Sequence, residues 1–107
     1  MKILFDQGTP VPLRDYLLHH EVDTAYELGW SQLLNGELLN AAERHGYDVM
    51  ITTDRNLKYQ QNLVGRRLAI MVLLSTSWPR IQQRIDDILA ALQAIPADGY
   101  VEVEVIQ

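Results

Sequence analysis

Cysteine is absent from this chain of 107 residues, which excludes a disulfide framework and any thiolate metal site. A bound metal would have to be held by oxygen or by histidine nitrogen. Long apolar runs are missing too: no stretch reaches the roughly 20 residues of a membrane span. The opening MKILFDQG has neither the extended apolar core nor the cleavage site of a secretory signal. A cytoplasmic protein with no membrane partner is expected. Internal repeats, low-complexity tracts and linker composition are lacking as well, so a single domain over residues 1–107 is expected.

Positive charge is scarce, with 9 Lys and Arg against 14 Asp and Glu and a net charge of −5. Taken alone, that balance argues against a polyanionic partner. The distribution points the other way. No acid occurs between Arg55 and Ile85, whereas Arg55, Lys58, Arg66, Arg67, Arg80 and Arg84 all fall there. A positive face beside an acidic site would let an acidic protein hold a phosphodiester. Chance segregation along a short chain is the plain alternative.

Apolar periodicity supplies the elements. Lys2 to Phe5 reads as a buried strand, and Thr9-Pro10-Val11-Pro12 opens a helix that ends near His19-His20. Glu21 to Ala25 is a weaker strand, and Tyr26 to Leu34 a loop or helical turn anchored by Trp30. A helix from Gly36 to His45 is expected, capped by Asn35 and stopped by Gly46. Val49 to Thr52 reads as a central strand, Asn56 to Val64 as a short helix, and Leu68 to Leu74 as the strongest buried strand. Ser77 caps one long helix bearing Ile81, Ile85, Ile88, Leu89, Leu92 and Ile95. Tyr100 to Ile106 alternates as a charged edge strand. The sum is a three-layer α/β/α sandwich around a mainly parallel sheet.

Two of the strands run into aspartates, Asp6 and Asp54. Neighbouring parallel strands bring their carboxyl ends to one crevice, so these acids are expected to meet. Between them Asn35-Gly36-Glu37 starts a helix, and Glu37 offers a third carboxylate. Clustered carboxylates repel unless protons or a cation neutralise them, and a hard divalent ion is the usual remedy. That chemistry is metal-assisted hydrolysis at phosphorus. Each acid also has a plainer reading: Asp6 and Asp54 as helix caps, Glu37 as an acid suited to a first helical turn. His19, His20 and His45 all lie near expected helix C-termini, where imidazolium suits the dipole.

With the elements in place, the chain resembles the PIN-like nucleases, and more narrowly the short bacterial PIN-like proteins associated with toxin-antitoxin systems. The resemblance spans nearly the whole chain and rests on Ile3-Leu4-Phe5-Asp6, on Asn35-Gly36-Glu37-Leu38-Leu39 with Ala41-Ala42, on Asp48 through Leu57, and on the Ile70 to Leu74 strand. Thr52-Thr53-Asp54 fits the family's threonine-x-aspartate signature. The resemblance implies a ribonuclease using Mg²⁺ or Mn²⁺, with Asp6, Glu37 and Asp54 as catalytic acids and metal ligands. It makes Thr52 a residue that positions Asp54 or a water. Two positions depart from the family pattern, where Asn56 and Asn35 stand in place of aspartates frequent in relatives. An amide oxygen still binds a hard cation but brings no charge, so Asn56 is a weaker ligand and Asn35 a supporting residue. Lys58, Arg66 and Arg67 are the expected phosphate contacts and Tyr59 a stacking platform.

An antitoxin protein and a homodimer remain open as partners, as does a degenerate PIN-like module that binds RNA or a partner without cutting. From a different class comes the phosphoacceptor receiver domain, with Asp54 ending the third strand and Ser75 or Thr76 following the fourth. Receivers resemble one another in having paired acids after the first strand and a lysine after the last. Here Asp6-Gln7 stands in the first place and no lysine near the second.

Overall fold

The computed structural model describes residues 1–105. Five strands, β1 (Lys2–Phe5), β2 (Glu21–Thr24), β3 (Val49–Thr52), β4 (Ala69–Leu73) and β5 (Tyr100–Val103), form one sheet in the order β2-β1-β3-β4-β5. Every pairing is parallel, with Phe5 opposite Ile51 and Ile51 opposite Met71. The two strands that are buried at every position, β3 and β4, carry continuous apolar runs and sit centrally. Both partly exposed strands, EVDT and YVEV, lie at the edges, where charged side chains deter pairing with another sheet. Ile106, expected to end β5, lies outside the described residues.

Alternation along the strands divides the core into two faces, and so into three layers. Ile3, Phe5, Ile51 and Met71 pack on one side with Leu13, Ile81, Ile88 and Leu92. On the other side Leu4, Met50, Ile70 and Val72 pack with Leu38, Leu39, Ala42 and Leu57. Leu13 comes from the 3-10 segment Val11–Tyr16, and the other partners from α1 (Asn35–Arg44), α2 (Leu57–Gln60), α3 (Trp78–Gln82) and α4 (Ile85–Ala94).

The helices depart from expectation in four places. The first is a short 3-10 segment, Val11–Tyr16, with Pro10 at its cap and Pro12 in its first turn, and it ends before His19-His20. Helix α2 is a single turn: Gln61 is extended, and the Asn62 side chain accepts the Val64 N–H at 3.0 Å, closing a turn of its own. The long C-terminal helix is broken between Gln82 and Ile85, with Arg84 outside helical geometry. Asp86 and Asp87 then occupy the first turn of α4, the place where acids favour a fresh N-terminus. Finally, Asn35 is not the cap of α1 but its first residue, following Leu34. Its side chain is drawn away by partners elsewhere in the fold.

Candidate active site

The chain leaves β1 toward β2 on one side of the sheet, and later leaves β3 toward β4 on the other. Between β1 and β3, therefore, the direction of winding reverses, and the crevice beyond their carboxyl ends is where open α/β sheets bind ligands. Asp6 follows β1 directly and Asp54 stands two residues beyond β3.

Asp6 is held on all sides. Its N–H extends the ladder to the Ile51 carbonyl at 3.2 Å. Its Oδ1 accepts from the Gly8 N–H at 3.1 Å and faces the Thr9 hydroxyl at 2.9 Å, while its Oδ2 accepts from the Thr52 hydroxyl. Thr9 also reaches the Ile51 carbonyl at 2.8 Å, so its single proton is shared between two acceptors. Burial raises the Asp6 pKa above the usual carboxylate value; the bonds from Thr52, Thr9 and Gly8 pull the other way without cancelling it.

Thr52, 1% exposed, joins the two acids. Its oxygen accepts the Asp54 N–H at 3.0 Å while its proton goes to Asp6. Asp54 Oδ1 accepts the Asn56 N–H at 2.9 Å, closing an Asx turn, and Asp54 Oδ2 lies 3.4 Å from the Asn35 amide nitrogen. That amide also donates to Gln60 Oε1 at 3.1 Å, tying the start of α1 to α2. Asn35 is thus a donor toward Asp54. A polar cleft of about 140 Å³ is lined by Asp6 and Asn35 together, with Trp30 and Leu38 behind them.

Glu37 bonds within its own turn. Its Oε1 accepts the Leu34 N–H at 3.0 Å, satisfying a backbone donor at the helix start. Asn35 reaches Asp54 from the same turn, and residues two apart on a helix do not share a face. Among the described residues, no three His, Asp or Glu side chains gather in a group able to hold a metal ion. What the crevice does assemble is the Asp6 carboxylate with the Thr9 and Thr52 hydroxyls, linked through Thr52 to the Asp54 backbone, whose own carboxylate turns to Asn56 and Asn35. Each carboxylate oxygen has about two acceptor positions, and the bonds above leave some of them open. Mg²⁺ commonly takes only one or two protein carboxylates and keeps several waters, so this hard-oxygen set fits such an ion.

No protein-family model, curated protein or solved structure matches the chain. The crevice has to be read from its own geometry.

The cations that sequence pattern marks for RNA are distributed unevenly around it. Lys58 donates to Glu102 Oε2 at 2.8 Å, a bond that raises the lysine pKa and lowers that of the glutamate. The same ammonium stands 5.2 Å from the Tyr59 ring centroid. Arg66 is paired with Glu43 and bonded to Asn40, each at 2.9 Å, which ties it to α1. Arg67 is exposed. Arg55, next to Asp54, donates to the Leu74 carbonyl at 2.9 Å and so is fixed at the end of β4, where it lines a 160 Å³ cleft with Asn56 and Lys58.

Sequence pattern passes over Gly8, Thr9 and Thr53, although all three shape the crevice. A Cβ on Gly8 would stand 2.5 Å from Thr53 Oγ1, so only glycine lets the loop after β1 lie this close to β3. The available signal was a glycine and a threonine immediately after a strand-ending aspartate, which reads equally well as an ordinary turn.

Proposed function

We propose that the crevice between β1 and β3 hydrolyses phosphodiester bonds in single-stranded RNA, with Mg²⁺ or Mn²⁺ held by Asp6 and Asp54. One observation carries this reading. At the point where the winding reverses, a single buried hydroxyl from Thr52 links the Asp6 carboxylate beyond β1 to the backbone N–H of Asp54 beyond β3. When bound, such an ion lowers the pKa of a coordinated water and offsets charge developing on the phosphate.

The chain's own residues do the positioning. Thr9, Gly8 and Thr52 fix the Asp6 carboxylate, and the Asn56 N–H and Asn35 amide orient Asp54. A cation beside the buried Asp6 carboxylate would offset the cost of burying its charge. Arg55 supplies a fixed positive charge on the β4 side, suited to a phosphate beside the one being cut. Glu37 acts on the start of α1, and Asn56, whose N–H bonds Asp54, would add an uncharged amide oxygen as a weaker ligand.

The test is incubation of purified chain with labelled single-stranded RNA and Mn²⁺, repeated with chelator and with Asp6→Asn and Asp54→Asn prepared identically. Cleavage that needs the metal and vanishes in both variants is expected. Equal cleavage by Asp54→Asn would mark a contaminating nuclease, and absence of cleavage together with no Mn²⁺ effect on melting would sink the reading.

The strand order favours a second reading, because phosphoacceptor receivers share it and end the third strand on an aspartate. Incubation with a small acyl phosphate separates the two. A phosphoryl group gained on Asp54, seen by mass, would replace hydrolysis with signalling.

A further inference from the structure

Asp6 and Gln7 line two clefts at once, the polar one shared with Asn35 and a larger one of about 260 Å³ on the β2 side. The larger cleft is walled by Val11 and Tyr26, which are 55% and 79% exposed, and by Arg14. We infer that this cleft is a base pocket, taking one unpaired nucleobase of an RNA whose phosphodiester lies over Asp6 and Asp54. The inference rests on the hydrolytic reading of the crevice and adds the direction from which the substrate's base enters.

Size comes first. The cleft falls just under the ~300–1,000 Å³ that holds a drug-sized molecule, which suits a single flat ring system. Its chemistry then selects the ring. Arg14 gives Nη1 and Nη2 to the two oxygens of Glu27, and its Nε is buried without a partner among the described residues. Two of its five N–H groups are thereby committed to Glu27, which fixes the guanidinium at the cleft wall, where its plane can stack on a base. Unpaired bases stack on aromatic rings and on guanidinium planes, and both surfaces line this one cleft. Gln7 donates through Nε2 to the Ser31 carbonyl at 2.7 Å, which leaves its amide oxygen as an acceptor for a base edge.

The exposure of Tyr26 is built into the fold. Its turn is clamped by the Thr24 N–H to Glu27 Oε1 and the Glu27 N–H to Thr24 Oγ1, each 3.1 Å, and by the Ala25 N–H to the Phe5 carbonyl at 2.8 Å. Among the described residues no ring or cation covers it, whereas Tyr59 on the far side already carries Lys58 over its ring. Charge decides against a phosphate in the same place. Asp6 and Glu27 line the cleft and Asp15 and Asp23 lie within electrostatic reach of Arg14, so a neutral ring is accepted where an anion is repelled.

The experiment measures binding of a short labelled single-stranded oligoribonucleotide and its abasic counterpart to the full chain, in chelator and again in Ca²⁺. Tyr26→Ala should weaken binding of the base-bearing strand about tenfold, as loss of one stacking surface does. Tyr26→Phe should bind as wild type, and the abasic strand should bind wild type and Tyr26→Ala alike. Melting of Tyr26→Ala should match wild type, because the ring is exposed. Weakening by Tyr59→Ala but not Tyr26→Ala, equal affinity for the two strands, or no binding in either condition would overturn the pocket. Cleavage with Mn²⁺ is scored separately. Binding through Tyr26 without cleavage sinks hydrolysis and leaves the pocket, while cleavage indifferent to Tyr26 sinks the pocket alone.

Discussion

Thr52 reaches across from β3 to Asp6 beyond β1, its buried hydroxyl donating to the Asp6 carboxylate while the same oxygen accepts the Asp54 N–H. A hydroxyl has one proton and two lone pairs, so this pair of bonds fixes its rotor in one setting. Through one side chain, the acid of one strand end is aligned with the backbone of the other. A hydrophobic residue of the same shape fills the space but performs neither task.

Thr52→Val should therefore cost about 1–3 kcal/mol, the penalty for leaving a buried acceptor without its donor. The loss should be larger at neutral than at mildly acid pH. Without the Thr52 donor the Asp6 pKa rises further, and the unsatisfied charge disappears on protonation. Thr52→Ser should keep most of the stability. Urea unfolding of the three proteins at both pH values decides; equal losses at the two would uncouple Thr52 from the charge on Asp6.

Asp6→Asn should be more stable than wild type at neutral pH without metal. Burial raises the folded-state pKa of Asp6 above the unfolded value near 3.8. The folded chain therefore binds this proton more tightly, and the stability it brings is present below the unfolded value and lost as pH rises through the raised one. An amide removes the ionisation, so its advantage should shrink as pH falls through that window. Glu27 works in the opposite sense: Arg14 and the Thr24 N–H hold it down to about 2, giving stability above the usual carboxylate range that is lost on strong acidification. Melting curves across pH for both proteins in chelator check the sign. A variant that melts below wild type at neutral pH refutes it.

Glu37→Gln retains an oxygen for the Leu34 N–H, whereas Glu37→Ala removes it. If the role is confined to the helix start, the glutamine variant should melt like wild type and keep its activity. The alanine variant should lose about 1 kcal/mol, as lost caps do. Loss of cleavage in Glu37→Gln with unchanged melting would instead make this carboxylate part of the metal chemistry.

The strands and the aspartates that follow them were legible because both signals are local. Continuous apolar runs mark β3 and β4, and an acid directly after such a run must lie at a strand end. What stayed hidden is long-range. Lys58 meets Glu102 and Arg66 meets Glu43 across 44 and 23 residues, so the acid-free stretch between Arg55 and Ile85 is not an acid-free surface. Linear charge segregation does not survive parallel pairing, which lays β5 beside β4 and brings its glutamate with it. Asn35 shows the same limit: a good cap by composition, it is taken by Asp54 and Gln60.

Asn56→Asp tests the crevice as a cation site most directly. The Asn56 N–H already bonds Asp54 Oδ1 at 2.9 Å, so a carboxylate at this position stands within the same turn as Asp54. In chelator the added acid should lower the melting temperature at neutral pH, because like charges so near each other disfavour ionisation. With saturating Mn²⁺ the order should reverse, since a further anionic oxygen strengthens binding of a hard cation and binding to the folded state alone stabilises it. The Mn²⁺ or Mg²⁺ concentration for half-maximal cleavage should fall in parallel. The deciding quantity is the metal-induced gain in melting temperature, measured for wild type and Asn56→Asp side by side. Equal gains would place residue 56 outside the coordination sphere and require the ion, if one binds, to sit on the Asp6 side of the crevice.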